Sequence, residues 1–209
     1  MKIIVADDHQ LIREGIKRIL AGQPDVTAVA EAENAQQVLD LVRSGNWDIV
    51  VLDIKLPGKS GLDVLKELKD ERPKLPVLIL SMYPEEQFAV RVIRAGASGY
   101  LSKASAGDEL LNALNKIYRG EKYISKEVAD ILADAIDDRG DRPGHMLLSD
   151  REFEVFRMIG AGKPVGEIAA ELSLSVKTVS TYRSHILEKM KLKNHAEIMQ
   201  YAITHKLVD

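Results

Sequence analysis

Side chains that could carry chemistry follow short apolar segments in the first half of this 209-residue chain. They are three carboxylates, a hydroxyl and an amine: Asp7, Asp8, Asp53, Ser81 and Lys103. Three carboxylates brought together repel one another, so a pocket that holds them needs a divalent cation or a raised pKa. Carboxylate and backbone oxygens suit Mg²⁺. With the hydroxyl and the amine, this set suits phosphoryl transfer to a carboxylate, because that chemistry depends mostly on positioning and charge neutralisation.

The segments that precede these residues are predicted to be strands of one parallel sheet. The run from Ile49 to Leu52 is short, apolar and rich in β-branched residues, which indicates a strand buried on both faces. Similar segments alternate with helical patterns, which favours an α/β flavodoxin-like fold of five βα units. Strands are predicted at 2–6, 26–30, 48–53, 76–81 and 99–101. In the strand order 2-1-3-4-5 the first and third strands are neighbours, so Asp7, Asp8 and Asp53 would share one pocket.

The composition indicates a soluble protein without disulfides. With 45% apolar and 29% charged residues the chain can build a core, and no apolar run approaches the ~18 residues of a membrane span. Two acids interrupt the N-terminal segment where a signal peptide would stay apolar, so export is not expected. The absence of cysteine excludes thiolate metal sites and fits a cytoplasmic protein. We therefore predict a cytoplasmic location and no membrane partner.

The C-terminal third is predicted to be an all-α domain of four helices, and it has the only excess of positive charge. It carries 9 basic and 8 acidic groups, although the whole chain has a net charge of −3. Ser149 and Glu152 have the spacing of a capping box before an apolar helix. The turn 173–175 joins two later helices in a helix-turn-helix pattern. The predicted divisions are a first domain at 1–121, a helical and flexible linker at 122–145, and a second domain at 146–209.

The longer helix of this pair, at about 176–191, has small polar side chains opposite its apolar stripe. Such a face lets a helix enter the major groove of double-stranded DNA, while basic residues nearby can meet phosphates. A merely solvated face is the alternative. The residues opposite the apolar stripe are Lys177, Thr181, Ser184 and Glu188, with Ser180 beside them, and the basic residues are Arg183, Lys189, Lys191 and Lys193.

Several sequence features of residues 1–120, in order, resemble the receiver domain of bacterial two-component response regulators. They are DD at 7–8, Asp53 followed by KLPG at 55–58, Ser81, and GYLSK at 99–103. Each feature is weak alone, but their order at successive strand ends is specific. The resemblance implies that a sensor histidine kinase phosphorylates Asp53. It also implies a protein that is not an enzyme in the usual sense, because a receiver catalyses only its own phosphoryl transfer and dephosphorylation.

The same resemblance assigns roles to individual residues. The implied Mg²⁺ ligands are Asp8, Asp53, the backbone carbonyl of Lys55, and Asp7 through water. Lys103 would hold the phosphoryl oxygens, Ser81 would swing toward the phosphate, and Tyr100 would move inward behind it. Taken singly, Tyr100 could be plain packing and Lys103 an ordinary surface lysine. Ala104 stands where many receivers have proline, so the geometry of the Lys103–Ala104 peptide is open.

The segment 148–203 resembles the four-helix DNA-binding domain of the NarL/FixJ (LuxR-type) transcription regulators. The sequences LSDRE, EIA and KTVSTYRSHILEKMK carry this resemblance. It implies that helix 176–191 is the recognition helix and that Thr178 contacts phosphate. The implied dimer contacts are Ile198, Met199, Ala202 and Ile203 on the last helix. Val165 and Gly166 depart from the pattern, since relatives often have a polar cap and a lysine there. The resemblance as a whole predicts a regulator whose phosphorylation controls homodimerisation and sequence-specific DNA binding.

Three other functions fit parts of the sequence. An aspartyl-phosphate phosphohydrolase of the haloacid-dehalogenase type also uses Asp, Lys and Mg²⁺, but it needs a second acid two residues after the nucleophile, where this chain has Lys55. A dinucleotide-binding domain needs a glycine-rich loop after the first strand, where this chain has acids. A receiver that is controlled by partner binding rather than by phosphorylation stays open.

Overall fold

The computed structural model describes residues 1–57, 59–82, 85–125, 128–130, 143–205 and 207–208. The chain divides into two units, Met1–Asp134 and Ala135–Asp209. More than half of the predicted linker 122–145 lies outside the described residues. No helix in the described ranges is long and apolar enough to cross a membrane.

The first unit is a five-stranded parallel sheet with the strand order β2-β1-β3-β4-β5, as predicted. The strands are β1 (Lys2–Ala6), β2 (Ala28–Ala32), β3 (Ile49–Asp53), β4 (Val77–Ser81) and β5 (Gly99–Ser102). The helices are α1 (Gln10–Ala21), α2 (Ala35–Ser44), α3 (Gly61–Glu71), α4 (Glu85–Arg94) and α5 (Ala106–Tyr118). β2 begins two residues later than predicted, because this edge strand is only partly buried and its apolar pattern is weak.

The three central strands are buried almost throughout, which is why their sequences are continuous apolar runs. The register aligns Ala6 with Leu52 and Asp53 with Leu80, so the carboxyl ends of β1, β3 and β4 meet at one edge. Ser81 is likewise opposite Ser102 on β5. The strand order therefore delivers the predicted polar residues to a single edge of the sheet.

The chain that follows α5 returns to the free edge of β5. The backbone N–H of Tyr123 donates to the carbonyl of Ser98 at 2.9 Å, and Tyr123 forms an isolated parallel bridge with Gly99. A Cβ on Gly99 would lie 2.7 Å from the Tyr123 carbonyl oxygen, so glycine permits this close approach. The phenolic hydroxyl of Tyr123 hydrogen-bonds to the Glu109 carboxylate at 2.6 Å, which ties the segment to α5.

The second unit is helical and contains the predicted helix-turn-helix. A 3-10 helix, Gly144–Leu147, precedes α6 (Asp150–Gly160), α7 (Val165–Glu171), α8 (Val176–Met190) and α9 (His195–Thr204). Ser149 and Glu152 form the predicted capping box, and Ser175 accepts the N–H of Thr178 as the N-cap of α8. The core includes the fully buried side chains of Phe153, Phe156 and Ile186. Val176, the first residue of α8, lies at the turn and is 55% exposed.

Candidate functional site

An acidic pocket lies at the carboxyl ends of β1 and β3. Ligand atoms of Asp7, Asp8, His9 and Asp53 all lie within 4.8 Å of one another. Asp7 and Asp53 are buried, whereas Asp8 and His9 are exposed at the rim. The three carboxylates therefore share one site, as the strand order predicts.

Lys103 reaches into this pocket from the end of β5. Its Nζ lies 2.6 Å from Asp7 Oδ2 and 2.8 Å from Asp53 Oδ2. Burial alone would lower the pKa of Lys103, but the ion pairs with Asp53 and Asp7 outweigh burial and raise it. Its backbone N–H donates to the Ser81 carbonyl at 2.7 Å, and the Lys103–Ala104 peptide is trans. The ammonium group is thus fixed between two carboxylates.

The electrostatics of Asp53 favour a cation beside it. Burial, with a smaller contribution from the nearby Asp7, raises the pKa of Asp53 to about 6 against the opposing effect of Lys103. A backbone hydrogen bond from Lys55 helps to stabilise the charged form. The clustered carboxylate oxygens are the hard ligands that Mg²⁺ prefers, so the residues present fit this ion.

Ser81 and Tyr100, on the neighbouring strands β4 and β5, are both buried. Each is only 1% exposed. Ser81 ends β4 next to the residue paired with Asp53, and Tyr100 lies opposite Ile79 in the β4–β5 register. This structure therefore accommodates the tyrosine ring in an inward position.

Gly61, at the start of α3, sets the approach of that helix to Asp53. Its N–H donates to the Ile54 carbonyl at 2.7 Å, and Ser60 caps the helix by accepting the N–H of Leu62. A Cβ on Gly61 would lie 2.1 Å from the Asp53 carbonyl oxygen and 2.7 Å from Ile54 Cα. Only glycine fits this contact, and the Ser-Gly pair before a helical pattern was the available sequence signal.

His9 is a residue of the pocket that the sequence reasoning missed. Its Nδ1 lies 2.7 Å from Asp8 Oδ1 and 3.2 Å from Asp7 Oδ1. Its backbone N–H donates to Asp7 Oδ1 at 2.9 Å, and the residue is the N-cap of α1. The signal was its place directly after two acids that end a strand.

The predicted recognition helix, α8, has the small polar face that its sequence indicates. Thr181 Oγ1 donates to the Lys177 carbonyl at 3.0 Å, and Ser184 Oγ donates to the Ser180 carbonyl at 3.1 Å. The hydroxyl protons are thereby used within the helix, while the oxygens can still accept hydrogen bonds from outside. Among the described residues of this unit, the exposed lysines without an ion-pair partner are Lys177, Lys191 and Lys193.

Other candidate residues of this unit have structural contacts that the sequence did not reveal. Lys189 pairs with Glu152 at 2.6 Å, so its predicted phosphate contact competes with an ion pair inside the domain. Arg183 is half-buried. α7 begins at Val165 with Pro164 in the cap position and no side-chain cap, consistent with the departure from the family pattern.

Two of the four predicted dimer residues are corrected by the structure. Ile198 and Ala202 are fully buried within their own domain, because α9 packs them toward α6. A Cβ on Gly160 of α6 would lie 2.6 Å from Ala202 Cβ, which shows how closely the helices approach. Ile203 is 60% exposed and Met199 is partly exposed. A contact with a second copy can therefore use only Met199 and Ile203 of this set.

Comparison with protein families assigns both units. Residues 3–115 match the response regulator receiver domain, and residues 146–202 match the bacterial regulatory proteins of the luxR family. The chain is a response regulator of the LuxR type. Its match to the receiver model spans more than half of the sequence. The two domains predicted from sequence, and the NarL/FixJ type, are thus confirmed as family assignments.

Relatives of this response regulator align over its whole length. The oxygen regulatory protein NreC of Staphylococcus haemolyticus is 34% identical over 216 residues, which covers all of both chains. The response regulator GacA of Pseudomonas aeruginosa is 35% identical over 211 residues, covering all of this chain and 98% of GacA. Among solved structures, the RcsB–DNA complex is 27% identical with a TM-score of 0.61, and Salmonella typhimurium RcsB is 26% identical with a TM-score of 0.71. Each RcsB comparison covers 98% of both chains.

Proposed function

We propose that a sensor histidine kinase phosphorylates Asp53 of this response regulator in a Mg²⁺-dependent reaction. Phosphorylation then shifts the receiver toward a state that forms homodimers and binds double-stranded DNA, so that transcription is regulated. The single observation that carries the proposal is the Lys103 ammonium held at 2.8 Å from Asp53 in the acidic pocket. A lysine and clustered carboxylates around one buried acceptor provide the charge arrangement that phosphoryl transfer needs.

Each residue of the pocket has its own role in the proposed phosphoryl transfer. A carboxylate oxygen of Asp53 attacks phosphorus, so the new P–O bond forms as the P–N bond of a phosphohistidine donor breaks. With a pKa of about 6, Asp53 is mostly ionised at neutral pH and ready to attack. Lys103 would stay with the phosphoryl oxygens, Ser81 would donate a hydrogen bond, and Tyr100 would pack behind it. The residues proposed to hold Mg²⁺ are Asp8, Asp53, the Lys55 carbonyl, and Asp7 through water. Bound Mg²⁺ supplies neutralisation of the phosphoryl charge.

The second unit is proposed to bind DNA through α8. The exposed hydroxyls of Thr181 and Ser184, together with Lys177, would be nearest the base edges, and Thr178 would contact phosphate at the helix N-terminus. The complex of RcsB with DNA supports this assignment, because RcsB aligns with 98% of this chain. Lys191 and Lys193 would contribute further phosphate contacts.

The deciding experiment is phosphorylation of the full-length chain by acetyl phosphate with Mg²⁺, followed by intact mass. We expect one added phosphoryl group in the wild type and none in Asp53→Asn. Asp48→Asn, just before the amino end of β3, is the matched control and should be labelled normally, since the Asp48 carboxylate accepts a hydrogen bond from the Lys2 backbone N–H at the end of the strand opposite to the pocket. Labelling that persists in Asp53→Asn would refute the assignment of the acceptor.

Light scattering then tests the consequence of phosphorylation. With Mg²⁺ and beryllofluoride as a phosphoryl mimic, the wild type should dimerise and Asp53→Asn should not. An unchanged mass in the wild type would favour control by partner binding, or a switch that acts on DNA binding without dimerisation. DNA binding measured with and without the mimic would separate these two outcomes.

A further inference from the structure

Arg13 on α1 is a nearly buried guanidinium that connects the acidic pocket to the edge strand β2. It is 5% exposed and lies on the apolar face of α1 with Ile16 and Leu20. Its Nη1 donates to the Asp7 carbonyl at 2.8 Å. A buried arginine is rare unless its donors are all used by fixed partners, so these contacts need an explanation.

The contact with Asp7 holds the segment that carries the pocket's first two carboxylates. The Asp7 N–H donates to the Ala32 carbonyl of the β2 end at 3.1 Å, while the Asp7 carbonyl accepts from Arg13. Both backbone groups of Asp7 are therefore tied, one directly and one through Arg13, to the β2 side of the sheet. Asp8 follows at once, so its position depends on the same anchors.

Two acids at the end of β2 fix the orientation of the guanidinium. Arg13 Nη2 lies 2.7 Å from Glu33 Oε1, and Nε lies 3.1 Å from Glu31 Oε2. Glu31 is itself held by Lys17 at 2.5 Å. A planar guanidinium can serve three acceptors in fixed directions at once, whereas a lysine ammonium is a single point charge without this geometry.

We propose that Arg13 is a positioning residue for the Mg²⁺ site, and that Glu31 and Glu33 orient it for this role. The inference rests on the proposed function, because the site is the one at which Asp53 would be phosphorylated. Hydrogen-bond partners that orient carboxylate ligands typically change metal affinity by 10–100-fold when removed. Arg13 acts one step further out, through the backbone of Asp7, so the lower end of this range is expected.

The test compares Mg²⁺ affinity in three variants of the full-length chain. Arg13→Lys keeps the positive charge but loses the planar guanidinium that serves three acceptors. Glu33→Gln weakens only one of the contacts that orient Arg13, and Glu33 is an exposed side chain. The matched control is Arg43→Lys, since Arg43 on α2 also pairs with two acids, Glu67 and Glu71, but on an exposed surface away from the pocket. The dissociation constant is obtained from the rise of the unfolding temperature with Mg²⁺ concentration, which separates affinity from starting stability.

We expect Arg13→Lys to raise the Mg²⁺ dissociation constant by about 10-fold. Glu33→Gln should raise it less, and Arg43→Lys should leave it unchanged. A purely structural Arg13 would lower the unfolding temperature of Arg13→Lys without changing the dissociation constant, and that result would overturn the inference. If Arg13→Lys does not fold, Glu33→Gln decides in the same way.

The two proposals fail differently in this experiment. A wild type that Mg²⁺ does not stabilise would overturn both the metal site and the role of Arg13. A wild type that binds Mg²⁺, with weakened binding in Arg13→Lys but no labelling by acetyl phosphate, would overturn phosphorylation and support the positioning role. Equal Mg²⁺ affinity in all variants, with normal labelling, would overturn the role of Arg13 alone.

Discussion

The buried Asp53 side chain destabilises the metal-free receiver at neutral pH. Its pKa rises from 3.8 to about 6 on folding, chiefly through burial. Below about pH 3.8 the group is neutral in both the folded and the unfolded state. As pH rises from about 3.8, Asp53 loses its proton in the unfolded state before it does so in the folded state, so the free energy of unfolding falls. This destabilisation is complete above about pH 6, where Asp53 is ionised in both states.

We therefore predict that Asp53→Asn makes the metal-free protein more stable. At about pH 8 with a chelator, the free energy of unfolding should increase by about 1–3 kcal/mol, and this gain should shrink as pH falls through about 6. Urea unfolding measures the difference. Asp70→Asn, a change at an exposed position of α3, is the control and should have little effect. A variant less stable than the wild type would contradict the prediction.

The pocket was predictable from sequence, but its supporting residues were not. Asp7, Asp8 and Asp53 follow buried strands, and parallel strands bring their ends to one edge. The acidic partners of Arg13, by contrast, lie at the end of β2 and not on its own helix. The ion pair between Lys189 and Glu152 joins residues 37 apart in sequence. Local pattern carries no information about such contacts, so Lys189 was assigned to DNA alone.

Among the elements, α3 depends on a close backbone approach that only glycine allows. Gly61→Ala would place a Cβ 2.1 Å from the Asp53 carbonyl oxygen, so we expect a loss of roughly 1–3 kcal/mol in the free energy of unfolding and weaker Mg²⁺ binding. Gly15→Ala in α1 is the control, because no heavy atom outside the helix's own backbone lies within 4 Å of its Cβ position. It should be stabilising by about 0.5–1 kcal/mol, as alanine favours helix. Equal effects of the two changes in chemical denaturation would refute this prediction.

α6 and α8 are joined by a buried carboxylate whose charge depends on pH. Burial acts to raise the pKa of Glu152, but hydrogen bonds from Lys189 and Ser149 outweigh burial and lower it below 4.5. This stabilisation is present above the unfolded pKa of about 4.5 and is lost as pH falls through the lower folded value.

We predict that Glu152→Gln destabilises the DNA-binding domain at neutral pH by about 1–3 kcal/mol. The variant should also lose less stability than the wild type as pH falls below about 4.5. Calorimetry of the full-length chain over this pH range measures both effects. Glu188→Gln, at an exposed position of α8, should retain the behaviour of the wild type. A wild-type acid response in Glu152→Gln would argue against this ion pair.

The buried elements were also the ones best predicted from sequence. β1 and β4 were located to within a residue, and β3 likewise, because burial on both faces leaves an uninterrupted apolar run. β2 was displaced by two residues, since an edge strand mixes exposed and buried positions. Ile198 and Ala202 were misassigned for a related reason: apolar spacing on a helix indicates a buried face but not whether another helix or another chain buries it.

For the whole molecule, a net charge of −3 means that DNA affinity must come from local lysines. We predict that Lys193→Ala reduces the slope of log affinity against log salt by about 1, because one proposed phosphate contact is lost. Lys189→Ala should act mainly by lowering the stability of the domain, since the buried Glu152 carboxylate would lose its counter-charge.

Fluorescence anisotropy with a labelled duplex over a range of salt concentrations measures these slopes. Lys74→Ala, an exposed change in the receiver, is the control and should preserve the slope. A larger change in slope for Lys189→Ala than for Lys193→Ala would show that Lys189 leaves Glu152 to bind DNA.

The Tyr123 bridge beside Gly99 has a consequence for how copies of this chain can associate. An open sheet edge can recruit a strand from another molecule through backbone hydrogen bonds, which leads to uncontrolled polymerisation. Here Tyr123 of the same chain already pairs with Gly99 at the start of the β5 edge. Its hydroxyl hydrogen-bonds to Glu109 and so holds the segment against α5. A foreign strand would first have to displace this segment. Edge-to-edge growth through β5 is thereby disfavoured.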